Sequence, residues 1–360
     1  MRTVKIQALR WLCGILLCWL LTGNVAAETS VLFTVDVESY QGRTPERDIF
    51  GRLPGYEGEY GVPKMLEILA EEDSPATFYL NVYELPLHGE KPLQEITNRI
   101  REAGQDLQLH THPHPMFGRR GMSHFKQSEQ REILAQGKAL LEGWGATNIV
   151  AHRAGAYLAN TATLRALRQV GIAVDASLSP AVMSPLAREG HLENDVFTQK
   201  GVLELPVTYY TQLRLPGWSS ARFLDIESSS LPELISVLDQ MAGRKACAVN
   251  IMMHSFSFTR SGVPDEHIME RFREILRHVE AHPELTARST RGFLSAWQQG
   301  DLECSPAPGF VPHTGFWLTW RRAWERLGQG GLNVAVALAP LALVSCLLFV
   351  VVWRLRGRRA

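Results

Sequence analysis

Val31-Leu32-Phe33-Thr34-Val35-Asp36-Val37-Glu38 is the stretch on which the reading of this chain turns. Its near-continuous apolar run is what a strand covered on both faces requires, as in a parallel sheet clad by helices. The run then breaks into two carboxylates. Side chains alternate along a strand, so Asp36 and Glu38 project to one face. Parallel α/β folds build their sites at the carboxyl ends of their strands, and two acids so close repel unless a cation or arginine lies nearby.

Working outward, further apolar runs fall at 76–80, 107–110, 149–152, 172–176, 202–207 and 246–253, and the first spans 31–37. Helical periodicity fills 62–71, 93–103, 129–144, 161–169, 231–241 and 265–281. Such alternation predicts an α/β fold on a parallel sheet, though periodicity alone does not choose between a closed barrel and an open sheet. No GxGxxG or GxxxxGK[ST] loop follows an early strand, which argues against nucleotide binding. Residues 180–201 are weakly periodic and read as an insertion or long loop, and 303–315, with three of the chain's 19 prolines, as a linker.

The chain has 360 residues, 45% hydrophobic and 21% charged, with Lys plus Arg equal to Asp plus Glu at 37 each. That balance excludes a polyanion-binding protein such as a nucleic-acid binder. Residues 1–27 combine a basic start (Arg2, Lys5, Arg10), an apolar core too short to cross a bilayer and a small-residue end at Val25-Ala26-Ala27, and read as a cleaved signal peptide. Residues 332–353 carry no charge and reach about 33 Å as a helix, enough to span a membrane. Four arginines in 354–360 follow as a cytoplasmic tail. The expected organisation is a catalytic unit at 28–302 outside the cytoplasm, a linker and interfacial segment at 303–331, and a single membrane span. Trp317, Trp320 and Trp324 share a helical face that suits an interfacial anchor better than a sugar platform. Cys247 and Cys304 lie in the exported part, where a disulfide is permitted.

The second chemical signal is His110-Thr111-His112-Pro113-His114-Pro115, at another strand end. One turn of compact backbone would put His110 and His114 on the same side, leaving His112 pointing elsewhere. Glu38, His110 and His114 then make a carboxylate and two imidazoles, the composition of a catalytic zinc site with an open position. The same set serves non-heme iron oxygenases, so the ligands alone do not name the metal. Arg153, Asp175 and His254 recur at later strand ends. Asp225-Ile226-Glu227 repeats the D-x-E pattern but precedes a helix, where acids favourably meet the dipole, and is set aside.

Together these motifs resemble the polysaccharide deacetylases of carbohydrate esterase family 4, the NodB-homology group. His110-Thr111-His112-Pro113-His114-Pro115 matches the family's H-[ST]-x-x-H-[PS] pattern, and Asp36-Val37-Glu38 resembles a D-x-[DE] form of its first motif. Arg153-Ala154-Gly155 departs from the usual R-x-P, and Met252-Met253-His254 resembles its last motif with methionine for leucine. The resemblance implies a distorted, seven-stranded (β/α) barrel and one divalent ion, zinc ahead of cobalt or nickel. It also implies an acetylated polysaccharide as substrate. In that scheme Asp36 is the general base and Arg153 positions it. His254 is the general acid, held by Asp175, and a backbone N–H near Ala156 meets the oxyanion. Met252 would line the acetyl methyl pocket. A glycan-binding module without activity, an O-deacetylase and an amidase on another substrate are the alternatives.

Overall fold

The structure is a computed structural model and describes residues 28–40, 42–215 and 218–328. The expected signal peptide and membrane span both lie outside the described residues. Among those described, no helix is long and apolar enough to cross a membrane.

Thr29–Val37 (β1) runs between Ala248–His254 (β10) on one side and Thr77–Asn81 (β2) on the other, both parallel. The parallel order continues through Asp106–Thr111 (β3), Ala151–Ala154 (β4), Val174–Asp175 (β5) and Val202–Glu204 (β7). These strands sit where the apolar runs predict them and curl into a half-barrel. Leu285–Ala287 (β13) pairs with the start of β1, and Phe197–Gln199 (β6) adds an antiparallel edge to β7. Irregular backbone spans the gap between β7 and β10. Thr208 donates its N–H to the Asn250 carbonyl at 3.2 Å, and Met252 pairs with Leu224 and Ile226 on either side of Asp225.

The pleat sorts residues by parity. Phe33, Val35 and Val37 join the large core shared with the helices, while Leu32 packs with Tyr79, Ala151, Val174 and Ala248 inside the barrel. Odd positions of β1 therefore face out and even positions in, and Thr34 and Asp36 point into the barrel. The helices pack by their apolar stripes. Glu266–Ala281 buries Ile268, Met269, Phe272, Ile275, Leu276 and Val279 at helical spacing. Each such side chain contributes about 1.5–3 kcal/mol relative to exposure.

Residues 180–201 are more structured than a loop, holding the short helix Pro185–Arg188 and strand β6. Asp195 fastens this insertion: its carboxylate accepts backbone N–H groups of Val196, Cys247, Ala248 and Ala307 at 2.7, 2.9, 3.0 and 2.9 Å. A hairpin of Tyr209–Leu215 (β8) and Trp218–Phe223 (β9) follows β7. The proline-rich stretch 303–315 lies along the domain. Pro308 accepts from Asn194, and Pro312 and Thr314 bond to Thr211. It ends in the helix Gly315–Gly328, and Cys304 is disulfide-bonded to Cys247 across a separation of 57 residues. Closing a loop of that length is worth up to about 4 kcal/mol in the chain-entropy model. Cys304→Ser, or reductant added to the native protein, should lower Tm by several degrees in a thermal unfolding scan.

Candidate metal and catalytic site

The even positions of β1 and β3 lead straight to the site. Strand β3 is still extended at Thr111, so period two carries His110 and His112, not His110 and His114, to the inner side. His112 Nε2 lies 2.7 Å and His110 Nε2 3.5 Å from Glu38 Oε2. These three side chains form a group able to hold a metal ion. His114 instead opens the short helix His114–Phe117, exposed at the surface and outside the group. The i,i+4 argument assumed a helical turn where the backbone is still a strand.

Gly155 belongs to this geometry. A Cβ at that position would meet the His112 ring atoms Cε1 and Nε2 at 2.3 Å. The histidine ring occupies the space that any larger residue at 155 would need. The backbone N–H of His112 is fixed by Asn81 Oδ1 at 3.1 Å, and Asn81 in turn donates to Glu84 at 3.0 Å. Burial pushes the Glu84 carboxyl up to about 7, against the hydrogen bonds it accepts from Ser39 and Asn81.

The His110 ring is oriented by its other nitrogen. Nδ1 lies 3.0 Å from the Arg153 carbonyl, which can only accept, so Nδ1 carries the proton. In the neutral ring Nε2 then holds a lone pair. That atom is buried without a hydrogen-bond partner and faces Glu38, with Asp36 Oδ2 4.0 Å away. A lone pair aimed at two carboxylates is unfavourable unless something positive stands between them. Burial alone would raise the Glu38 carboxyl, but the charge of His112 and the approach of both imidazoles hold it well below its ordinary value. Burial lowers and the Glu38 charge more than restores the His112 pKa, leaving it raised.

Asp36 sits beside this group with one oxygen committed. Arg153 Nη1 donates to Oδ1 at 2.7 Å, and Arg153 is completely buried. Its remaining donors go to Thr34 Oγ1 at 2.8 Å and the Ala176 carbonyl at 3.2 Å, and its guanidinium lies 4.5 Å from the Tyr79 ring centroid. The guanidinium thus engages one oxygen of Asp36 and leaves Oδ2 facing the site.

His254 enters from β10 on the opposite flank, its Nε2 3.8 Å from Glu38 Oε1. Its partner is Glu227, with Oε1 2.8 Å from His254 Nδ1, not Asp175. Glu227 also accepts from Ser257 Oγ at 2.5 Å. Burial works against protonating His254, yet the hydrogen bond and charge of Glu227, with the charges of Glu38 and Asp36, push its pKa up to about 9. Asp175 has the wrong parity for that role. Its neighbours Val174 and Ala176 face inward, so Asp175 faces out, bonding His152 Nδ1 at 2.7 Å while His152 Nε2 meets Thr111 at 3.0 Å. That chain ties three strands together and touches no part of the site. The D-x-E pattern set aside in the sequence thus supplies the carboxylate that Asp175 does not. The available signal was the repeat itself, in a segment that the hairpin β8–β9 delivers to the strand ends.

Tyr157, Val207 and Met252 form a small buried apolar cluster with Phe223 packed against it. Tyr157 belongs to the turn after β4, where Ala156 and Tyr157 are left-handed at φ 51° and 57°. Each such non-glycine residue costs on the order of 1–3 kcal/mol, the kind of strain that gathers at functional sites. The Tyr157 hydroxyl is buried without a hydrogen-bond partner, and the charge of Asp36 adds to burial in raising its pKa.

Residues 52–174 match the family described as Polysaccharide deacetylase. That segment holds the histidine run and Arg153, and leaves Asp36, Glu38, Glu227 and His254 outside it. A solved Mycobacterium smegmatis protein assigned to the polysaccharide deacetylases is 21% identical, over 80% of this chain and 95% of its own, at a TM-score of 0.52. The 4-alpha-glucanotransferase of Thermococcus litoralis is 11% identical over 79% of this chain and 42% of its own, at 0.51. At such identities the likeness is one of fold. No curated protein matches the sequence. Residues 52–174 are thus similar to the polysaccharide deacetylase family, and the curled half-barrel is a fold shared with these solved structures.

Proposed function

We propose that this chain is a metal-dependent hydrolase that removes N-linked acetyl groups from an N-acetylhexosamine-containing polysaccharide at the cell envelope. The observation that carries this reading is the buried His110 Nε2, without a hydrogen-bond partner and turned toward Glu38 and Asp36. Two imidazoles and a carboxylate fit a divalent ion with an open coordination position, so Glu38, His110 and His112 would hold it. Zinc suits that set best, with cobalt or nickel as substitutes. Once bound, such an ion supplies Lewis acidity, polarising an acyl oxygen and making water nucleophilic near neutral pH.

The remaining steps fall to the chain's own groups. Asp36, held at Oδ1 by Arg153, takes the proton of the attacking water through Oδ2. His254, protonated and aimed by Glu227, delivers a proton from Nε2 to the departing sugar nitrogen. Base and acid sit on the paired strands β1 and β10, level with each other at the site, within reach of one acyl group. The strained turn at Ala156 offers backbone N–H groups to the oxyanion, and the Met252 cluster would receive the acetyl methyl. The sequence features at 1–27 and 332–353 would tether this activity outside the cytoplasm, near a polymer of the envelope.

Elemental analysis separates the two histidine assignments. His112→Ala should lose the metal, as should Gly155→Ala, which displaces the same ring, whereas His114→Ala should keep it. Metal lost only from the His114 variant would restore the i,i+4 pair. Asp36→Asn should keep the metal, since its amide oxygen can still accept from Arg153. It should lower acetate release from acetylated chitooligosaccharides by about 10²–10⁴-fold; full activity in this variant would remove Asp36 as the base. For Glu227→Gln the pH profile is the measurement. His254 loses the charge that raises its pKa and deprotonates at lower pH, so the alkaline limb of kcat should move downward from about 9. Asp175→Asn should leave that limb in place.

A further inference from the structure

Glu227 stands on the loop 225–230, between the hairpin β8–β9 and the helix Leu231–Ala242. Its side chain reaches His254 and Ser257, so the aim of the acid depends on how this loop is held. Asp225 caps the loop from within, accepting Ser228 Oγ at 2.5 Å. From the helix Glu266–Ala281, Arg271 donates to the Ile226 carbonyl at 2.8 Å. Arg222 donates to Ser228 Oγ and Tyr210 OH pairs with Ser229 Oγ at 3.2 Å, and a further hold comes from the far end of the described chain. Arg322, on the helix Gly315–Gly328, donates to the Ser228 carbonyl at 3.4 Å and to Gln212 Oε1 at 3.3 Å. Its Nε lies 3.8 Å from Glu233 Oε2.

Glu233 explains why an arginine is needed there. It is fully buried, with Oε1 taken by Gln212 at 2.7 Å and Oε2 by Ser230 N–H and Oγ at 2.9 and 3.0 Å. A buried carboxylate held by neutral donors still requires a counter-charge, and Arg322 provides it. One planar, multi-donor guanidinium thereby joins the Glu227 loop, strand β8 and the start of the helix Leu231–Ala242. The helix that carries it lies beyond the expected catalytic unit and leads toward the apolar stretch 332–353.

We propose that the helix Gly315–Gly328 is a working part of the catalytic site: through Arg322 it fixes the loop that aims Glu227 at His254, so protonation of the leaving group depends on the seating of this C-terminal helix. Arg322 is a positioning residue, and the inference rests on the reading of His254 as the acid. An enzyme built this way turns over fully only with its membrane-proximal end docked. Cutting the chain after residue 302 would therefore cost activity even where the barrel survives.

The test uses the full chain with Arg322→Ala and Arg322→Lys, each alone and combined with Glu227→Gln. The probes are N-acetylchitopentaose and 4-nitrophenyl acetate. On the pentasaccharide, Arg322→Ala should lower kcat roughly 10–100-fold with little change in KM, the cost of a small misplacement, and Arg322→Lys should recover part of it. In the Glu227→Gln background the same change should cost less than about twofold, because coupled residues are not additive. Hydrolysis of 4-nitrophenyl acetate, whose phenolate leaves without a proton, should be unchanged. Additive losses in the double variant, or equal losses on the ester, would overturn the inference and leave Arg322 a support of the fold. If Glu227→Gln itself spares amide turnover, the assignment of the acid fails instead. Should the wild-type chain release no acetate from the pentasaccharide, hydrogen exchange decides: Arg322→Ala must speed exchange of the amides at 226–230, and unchanged protection sinks the proposal.

Discussion

Arg153 is the residue around which the barrel has to be built. A guanidinium with no exposed surface, at the centre of a curled sheet, carries a desolvation cost of several kcal/mol. That cost is met only if the strands meet in one register. Asp36 from β1, Thr34 two residues earlier, the Ala176 carbonyl and the Tyr79 ring must all arrive together. An apolar core of the same volume would serve stability as well or better. What the pairing adds is chemical: it presents Asp36 with one bound and one open oxygen at the mouth of the barrel. The Arg153 carbonyl then sets the tautomer of His110. One residue thus orients His110 with its backbone and Asp36 with its side chain.

Two pairings of histidine with carboxylate have opposite consequences. His254–Glu227 and His152–Asp175 have nearly the same separation, 2.8 and 2.7 Å. Parity separates them. His254 occupies an inner position of β10 and retains 26% side-chain exposure, whereas His152 and Asp175 have none and face the helix layer. The outer pair stitches β3, β4 and β5 together; the inner one can reach a ligand. A hydrogen-bonded His–Asp pair is therefore no indicator of catalysis until the face of the sheet is known.

Much of the architecture could be read from the sequence because parallel strands announce themselves as apolar runs and helices as stripes. The helix periods at 62–71 and 161–169 fall on the helices Val62–Glu71 and Thr161–Gln169. What escaped were elements whose signals are short or contextual. Strand β6 is three residues long, with half-exposed ends and an exposed centre, and the hairpin β8–β9 mixes polar and apolar residues without strict alternation. The stretch 303–315 looks like a linker by composition. Its prolines do not prevent it from packing, because its free backbone groups find Asn194, Thr211 and Lys245. In the site, Asp36, Glu38, His110, Arg153 and His254 could be placed from strand ends alone. Glu227 could not, since a loop after a hairpin has no periodicity to fix its direction.

The histidine run shows how a motif and its geometry can part. Read as a pattern, the two histidines four apart are the pair, and the glycine at 155 is a departure from the usual R-x-P. Read as backbone, the strand has not yet ended at Thr111, so the neighbour two residues on from His110 faces the carboxylate. That ring needs room, and the room exists because residue 155 has no side chain. A proline there would place its ring carbons where the imidazole lies. The inward histidine therefore requires the missing side chain: His112 can sit against Glu38 only where residue 155 is glycine. The glycine exchanges a stiffer turn for space to seat His112 against Glu38. The same turn carries the left-handed residues Ala156 and Tyr157, with Tyr157 packed against Val207 and Met252.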